Sequence, residues 1–231
     1  MTDLAKLREA NERRWAVVRL TRPFSAIADQ LIAAKSRYRI VEAKTGVPWF
    51  VIAAIHMRES SRSFLGVLHN GERIIGTNRL TRLVPKGRGP FATWEDAAID
   101  ALVNCAPYAA RNKDWSVGGT LTMLEQYNGL GYANKGLPSP YLWAGTDQYV
   151  SGKYVSDGRF DPNVIDSQPG CAGIILAIMA ADHSVQFGAP GKPPPEPVPD
   201  PVAPERASQP TPSPSAWAAF FLALSRFLKG Q

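Results

Sequence analysis

The chain has 231 residues, of which 45% are hydrophobic and 20% are charged, with a formal net charge of +6 and two cysteines. This composition supplies enough apolar surface for a packed core, and it excludes a fully disordered chain, a collagen and a disulfide-stapled miniprotein. Eleven of the 20 prolines lie between Pro190 and Pro214. We therefore interpret residues 1–188 as the working domain, residues 189–215 as a disordered Pro-rich linker and residues 216–230 as a C-terminal amphipathic helix.

Apolar periodicity and capping residues predict a mostly helical domain. The predicted helices span residues 3–20, 23–45, 49–61, 94–105, 117–125 and 171–185. The dipeptide Asn70-Gly71 is a strong hairpin signal, so we expect short strands near residues 66–69, 73–75 and 82–84. A long loop rich in glycine, proline and aromatic residues covers residues 130–169. The expected fold class is α+β, mostly α-helical, with a small antiparallel β-lobe.

Glu59 is the strongest candidate for a catalytic residue. It stands near the end of the apolar helix WFVIAAIHMRESS, where a buried helix emerges from the core. A carboxyl group in that position loses solvation, so its pKa rises and it can act as a general acid near neutral pH. An ion pair of Glu59 with Arg58 or Arg62 at the helix end is the alternative interpretation.

Two motifs resemble the lysozyme superfamily, in particular the goose-type lysozymes and soluble lytic transglycosylases. IAAIHMRESSRSF is similar to their catalytic helix, which ends in Glu-Ser, and EQYNGLGY is similar to the Tyr-Asn motif that faces the acid. The resemblance covers about residues 30–185 and implies a lysozyme-like domain. It implies Glu59 as the general acid/base, Ser60 as a neighbouring hydroxyl, and Tyr127 and Asn128 in the sugar-binding cleft.

The segment after the acid differs from the transglycosylase pattern. The transglycosylase stretch Gly-Ala-x-Gly-Leu-Met-Gln is missing, and HNGERIIGTNRLTRLVPKGRGP stands in its place, a hairpin region more like the β-lobe of true lysozymes. A hydrolase needs a second carboxylate, about 5–9.5 Å from the acid depending on the mechanism. Glu72 is our first candidate, with Asp147 and Asp157 in reserve. Without a second carboxylate, attack by the sugar's own 6-hydroxyl is the better mechanism.

Aromatic residues are dense in the loop SPYLWAGTDQYVSGKYVSDG. Because aromatic faces pack well against sugar rings, we predict that this loop forms sugar subsites. The predicted subsite residues are Tyr141, Trp143, Tyr149 and Tyr154. The alternative is that these rings anchor a long loop to the core.

The sequence favours no metal, no other cofactor and no nucleic-acid partner. Cys105 and Cys171 lie outside any CxxC pattern, and no H-E-x-x-H motif is present. His56 lies three residues before Glu59, on the same helix face, and either tunes its pKa or is a hydrogen-bonded core histidine. The positive charge favours an acidic partner, but no basic run interleaved with aromatic residues indicates nucleic acid.

Taken together, the resemblance implies a peptidoglycan-cleaving enzyme, a muramidase or lysozyme that cuts the β-1,4 bond between N-acetylmuramic acid and N-acetylglucosamine. The polar N-terminus is not typical of a secretory signal. We therefore expect a phage or prophage endolysin that is made in the cytoplasm and acts on the cell wall or periplasm after release. The alternatives are a lytic transglycosylase that uses the same Glu59, and a non-catalytic wall-binding or virion structural protein with a lysozyme fold.

The predicted C-terminal helix, residues 216–230, is expected to contact a membrane. Trp217, Phe220, Phe221, Leu224, Phe227 and Leu228 follow the spacing of one helix face. About thirteen apolar-rich residues are too few to span a bilayer, so we expect contact with the membrane surface. Docking on the catalytic domain and self-association are the alternatives.

Overall fold

The computed structural model describes residues 2–156 and 158–188. These residues form eight α-helices and one two-stranded antiparallel sheet, which confirms an α+β, mostly α-helical fold. The predicted linker and C-terminal helix, residues 189–230, lie outside the described residues. In chain order the elements are α1 (Leu4–Val17), α2 (Ser25–Ala33), α3 (Lys35–Thr45), α4 (Trp49–Ser60), α5 (Trp94–Asn104), α6 (Val117–Asn128), α7 (Pro140–Trp143), β1 (Lys153–Ser156), β2 (Arg159–Asp161) and α8 (Cys171–Ala181).

The apolar helix α4 lies in the core. Its first eight residues, Trp49 to His56, are all buried, whereas its last turn from Met57 to Ser60 is partly exposed. α4 packs against α3 on one side and against α8, the other strongly apolar helix, on another. The prediction of a core helix that surfaces at Glu59 is therefore confirmed.

The single helix expected over residues 23–45 is two helices. α2 ends at Ala33, and Ala34 accepts hydrogen bonds from the amides of Arg37 and Tyr38 as α3 begins. The change of direction lets α2 pack on α8 while α3 packs on α4 and α5. Leu31 and Tyr38 are consequently both fully buried, although they belong to different helices.

The strands expected between residues 66 and 84 do not form. Gly66 and Arg73 make only an isolated bridge, and the amide of Gly71 donates to the carbonyl of Val67 across a wider turn than a two-residue hairpin. Side chains bind backbone groups that would otherwise pair in a sheet. For example, Asn70 Oδ1 accepts a hydrogen bond from the Glu72 amide. This segment is therefore a loop held by side chains.

The small sheet lies instead in the loop expected over residues 130–169. β1 and β2 pair antiparallel with Lys153 opposite Asp161 and Tyr154 opposite Phe160. The rings of Tyr132, Tyr154 and Phe160 contact one another edge to face and tie this hairpin to the segment that follows α6.

None of the described helices alone is long and apolar enough to cross a membrane. Only α3 and α4 taken together, with a bend of 112° between them, reach that length and composition. Cys105 and Cys171 are free thiols, Cys171 buried and Cys105 partly exposed.

Candidate active site

The end of α4 carries Glu59 to the edge of the core. The helix stops at Ser61, which adopts a left-handed conformation with φ of 49°. The Ser60 hydroxyl donates to the His56 carbonyl one turn back, at 3.3 Å, so Ser60 supports the last turn. Gly66 and Gly71 pack directly against Ser60 and the Glu59 carbonyl, respectively. The loop after α4 therefore fixes the backbone at the acid.

The Glu59 carboxyl group accepts a hydrogen bond from an aromatic hydroxyl and lies within the influence of a cation. Tyr141 Oη donates a hydrogen bond of 2.9 Å to Glu59 Oε1, and Arg58 is the neighbouring positive charge. Burial raises the pKa of Glu59 to about 7, although the Tyr141 hydrogen bond and the Arg58 charge both lower it. Glu59 therefore exists in protonated and ionised forms near neutral pH, as a group that gives and takes protons requires.

Tyr127 and Asn128 lie at the end of α6, and Asn128, unlike Tyr127, lines a cavity beside Tyr141. Tyr127 Oη donates to the Leu68 carbonyl at 2.9 Å, which ties α6 to the loop after α4. Burial raises the pKa of Tyr127 and Tyr141 well above the usual tyrosine range, and the Glu59 charge raises both further. Both phenols thus stay neutral. Asn128 is exposed, and its side-chain amide donates to Ser139 Oγ at 3.4 Å.

A cavity of about 280 Å³ borders this cluster. Two predicted subsite residues, Tyr141 and Tyr154, and the motif residue Asn128 line it. Its wall includes Arg58, Asn128, Tyr132, Tyr141, Tyr154 and Asp166. Glu59 does not line this cavity itself, but Tyr141 and Arg58, its two neighbours, do. The cavity therefore adjoins the acid and combines aromatic faces with charged groups.

Asp166 is the site residue that the sequence did not reveal. Its Oδ2 accepts from the Arg58 guanidinium and its Oδ1 from Lys153 Nζ, each at 2.9 Å. Burial alone would raise the pKa of Asp166, but the Arg58 charge and the Lys153 hydrogen bond hold it below its usual value. The Arg58 guanidinium also lies 4.9 Å from the Tyr141 ring centre. Asp166 is thus a fixed carboxylate that orients Arg58 beside Glu59.

The first candidate for the second catalytic carboxylate, Glu72, has a different role. Its two oxygens accept hydrogen bonds from the backbone amides of Arg82 and Leu83 at 2.8–3.0 Å. The side chain therefore organises the loop after α4. The reserve candidate Asp147 is used similarly, since its Oδ1 accepts from the Arg19 amide. Asp157 lies outside the described residues.

Two of the predicted sugar-binding aromatic residues anchor the loop instead. Trp143 is only 1% exposed and belongs to the main core, so it cannot present a face to a sugar in the cleft. Tyr149 is not in the wall of the cavity beside Glu59, and its hydroxyl accepts from the Asp166 amide at 3.0 Å and donates to the Gly152 carbonyl at 3.2 Å. The composition of the loop did not separate these residues from Tyr141 and Tyr154.

His56 is a core histidine. Its Nδ1 is 2.9 Å from the Tyr38 hydroxyl, and its ring packs against Phe64 and Trp94. Burial lowers the pKa of His56 to about 4, so the ring is neutral at physiological pH. Its ring is therefore held within the aromatic core rather than at the acid.

Among the described residues, His69, Asp100 and Cys105 form the one group with metal-ligand spacing. His69 Nε2 is 2.8 Å from Asp100 Oδ2, and the Arg88 guanidinium pairs with both oxygens of Asp100. Because Arg88 already supplies the cation for this carboxylate, we assign no metal to the group.

Comparisons with protein-family models, with curated proteins and with solved structures give no match for this chain.

The close contact between Gly71 and the acid-bearing turn gives a testable prediction. A Cβ at Gly71 would lie 2.2 Å from the Glu59 carbonyl oxygen, whereas a Cβ at Gly76 would meet nothing within 4 Å, and both residues have φ between +70° and +78°. We expect Gly76→Ala to lower the free energy of unfolding by about 1 kcal/mol and Gly71→Ala by about 3 kcal/mol in urea denaturation. Equal losses would contradict the close packing at Glu59.

Proposed function

We propose that this domain cleaves the glycan strand of peptidoglycan at the β-1,4 bond between N-acetylmuramic acid and N-acetylglucosamine, with Glu59 as the general acid. One observation supports this proposal most strongly. Burial raises the pKa of the Glu59 carboxyl group to about 7, and this group lies next to a cavity whose wall contains aromatic residues. A lysozyme-like fold is part of the proposal, because Glu59 at the end of α4 and Tyr127-Asn128 at the end of α6 lie in the two motifs that resemble that superfamily.

The cleavage step follows from the protonation states of these groups. Protonated Glu59 gives its proton to the glycosidic oxygen as the C1–O bond breaks, and positive charge develops on the sugar ring. The partly exposed Tyr154 ring supplies an apolar face for sugar packing, and Tyr141 Oη stabilises the Glu59 carboxylate once the proton has left. The fixed Arg58–Asp166 pair keeps the Arg58 charge in place during this change.

Transglycosylation is the second candidate, and the state of the other carboxylates favours it. Among the described residues near the acid, Asp166 has both oxygens occupied, and Glu72 is bound to backbone amides. Neither is free to activate a water molecule. In the alternative step, the muramic acid O6 attacks C1, its proton passes to the Glu59 carboxylate, and the product is a 1,6-anhydro sugar.

Mass spectrometry of fragments released from purified peptidoglycan tests both candidates. Hydrolysis adds a water molecule and leaves a reducing end, whereas transglycosylation adds none and leaves a 1,6-anhydro end. Either product supports glycan cleavage by this domain. Fragments cut only within the stem peptides would contradict it.

The biological role that we propose is that of a phage or prophage endolysin. Peptidoglycan is then the partner, and the protein acts at the cell wall or periplasm after release. Contact of residues 216–230 with the membrane surface is part of this proposal. Deletion of residues 189–231 is expected to leave cleavage of soluble glycan unchanged and to reduce liposome binding. Unchanged liposome binding would contradict the membrane contact.

We expect the ionisation of Glu59, whose pKa depends on the hydrogen bond from Tyr141, to set the pH dependence of cleavage. Activity should fall as the pH rises through about 7, because ionised Glu59 cannot donate a proton. Tyr141 Oη stabilises the ionised form, so Tyr141→Phe should raise the pKa of Glu59 and move the alkaline limb of the kcat/KM profile to higher pH. Tyr132→Phe is the control, since that hydroxyl accepts from the Tyr154 amide. An alkaline limb that stays in place in Tyr141→Phe would contradict the assignment.

A further inference from the structure

A second and larger cavity, of about 410 Å³, lies between α1, the end of α6 and the segment 133–139. It shares no lining residue with the cavity beside Glu59. Its wall includes Leu7, Asn11, Arg14, Glu125, Leu137 and Trp143. The proposed cleavage reaction uses none of these residues.

Glu125 is the unusual group in this cavity. It is only 2% exposed, and its Oε2 has no hydrogen-bond partner. Glu125 and Tyr127 are two residues apart on α6, so their side chains point to nearly opposite sides of the helix. Tyr127 contacts the loop at Glu59, whereas Glu125 lines the second cavity. A buried carboxyl group without a partner is costly, which suggests that a ligand group completes its bonding.

The cavity wall offers a specific set of contacts. Burial raises the pKa of Glu125 to about 8, although the Arg14 charge lowers it, so at neutral pH the group is mainly a carboxylic acid with one donor and one acceptor. Asn11 is also 2% exposed, and its Nδ2 donates to Thr122 Oγ1 at 3.3 Å, so its carbonyl oxygen is the group left to accept. Leu7 and Leu137 supply an apolar surface beside these polar groups.

We propose that this cavity binds an N-acetylamino sugar through its acetamido group. An acetamido group has one carbonyl acceptor, one N–H donor and a methyl group. The Glu125 carboxylic acid donates to the carbonyl, the Asn11 side-chain oxygen accepts from the N–H, and the apolar surface receives the methyl group. A plain hexose lacks the amide and the methyl group, and cations are disfavoured because Arg14 and Lys6 outweigh the single carboxylate of Asp3 in the same wall. The site does not depend on cleavage, because none of its residues acts in that step.

Amide chemical shifts test the proposal with N-acetylglucosamine as the probe. Asn134 and Gly136 line the second cavity, and Gly129 and Gly131 line the one beside Glu59, so the two sites report separately. We expect saturable shifts at Asn134 and Gly136 in the wild-type protein and in the active-site variant Glu59→Gln. The matched control Glu9→Gln changes an exposed carboxyl group on α1 and should bind like the wild type. Glu125→Leu should abolish these shifts.

Shifts confined to Gly129 and Gly131 would overturn the proposal and leave the proposed cleavage site intact. Equal binding of glucose, or binding of acetate in place of N-acetylglucosamine, would also overturn it, because neither ligand presents an amide.

The pH dependence of binding gives a second test that does not rely on a disruptive variant. The other titratable groups around Glu125 are Asp3, Lys6 and Arg14 at α1 and the buried thiol of Cys171 on α8, and the segment 133–139 contributes no charged group to the wall. Because ionised Glu125 cannot donate, the apparent dissociation constant should rise about tenfold between pH 7 and pH 9. Glu125→Gln keeps a donor and an acceptor at every pH, so its affinity should stay constant over this range. A wild-type affinity that is equally constant would overturn the role of Glu125.

Discussion

Replacement of Glu59 by glutamine is expected to lower the rate of peptidoglycan cleavage by about 10²–10⁴-fold. Glutamine has nearly the volume of glutamate and can still accept the hydrogen bond from Tyr141 Oη, so the packing at the end of α4 is preserved. It cannot donate a proton to a glycosidic oxygen, and this is the single capability that the substitution removes. The initial rate at which the purified variant clears a peptidoglycan suspension measures the effect.

Glu72→Gln is the matched control for this experiment. It makes the same chemical change in the loop after α4, where the Glu72 carboxylate accepts from backbone amides. The variant keeps one acceptor oxygen, so we expect a clearing rate within a few-fold of the wild type, with thermal unfolding as the check on the fold. Equal clearing by wild type and Glu59→Gln would refute the catalytic assignment. A large loss in folded Glu72→Gln would return Glu72 to the mechanism.

Asp166→Ala is expected to lower the free energy of unfolding by about 3–5 kcal/mol. The side chains of Asp166 and Arg58 are only 1% and 6% exposed, so removal of the carboxylate leaves a buried guanidinium without its anion. Asp147→Ala removes an exposed carboxylate from the same loop, and we expect a loss below about 1 kcal/mol there. Urea denaturation of the two variants measures the difference, and a loss below 1 kcal/mol in Asp166→Ala would contradict the role of the buried pair.

A double variant separates the effect of an unpaired charge from the effect of lost packing. Arg58→Met combined with Asp166→Leu removes both buried charges at once, and it is expected to recover much of the stability that Asp166→Ala loses. Its cleavage rate should nevertheless stay below that of the wild type, because no cation then lies beside Glu59 and the Tyr141 ring. A double variant as active as the wild type would show that the Arg58 charge has no part in the reaction.

The parts of the fold that follow from local pattern were predictable. The apolar run from Trp49 to Ile55 could only be a core helix, and its polar end placed Glu59 at the surface of the core. The strands were predicted near residues 66–84 because Asn70-Gly71 is a local hairpin signal. Whether a hairpin forms there depends on tertiary contacts as well. Gly71 packs on the Glu59 carbonyl, and the Glu72 side chain binds backbone amides ten and eleven residues away.

The sequence pointed only to those residues of the candidate site that lie within a short motif. Glu59 and Tyr127 each lie in a short recognisable segment, but the ion pair between Arg58 and Asp166 joins residues 108 positions apart, and no local pattern specifies it. Aromatic composition singled out a loop that contributes Tyr141 and Tyr154 to a cavity wall, without showing which of its rings lie there. Trp143 is in the core, whereas Tyr154 lines the cavity, and this difference arises from packing against α6 and α8.

We propose that Glu59 transfers a proton to a glycosidic bond in peptidoglycan. The most direct test of this proposal is the count of new sugar ends, reducing plus 1,6-anhydro, that equal amounts of wild-type and Glu59→Gln protein generate from purified peptidoglycan. We expect the number of ends to rise steadily with time for the wild type and to stay near background for the variant. Equal numbers of new sugar ends from the two proteins, or none from either, would contradict it.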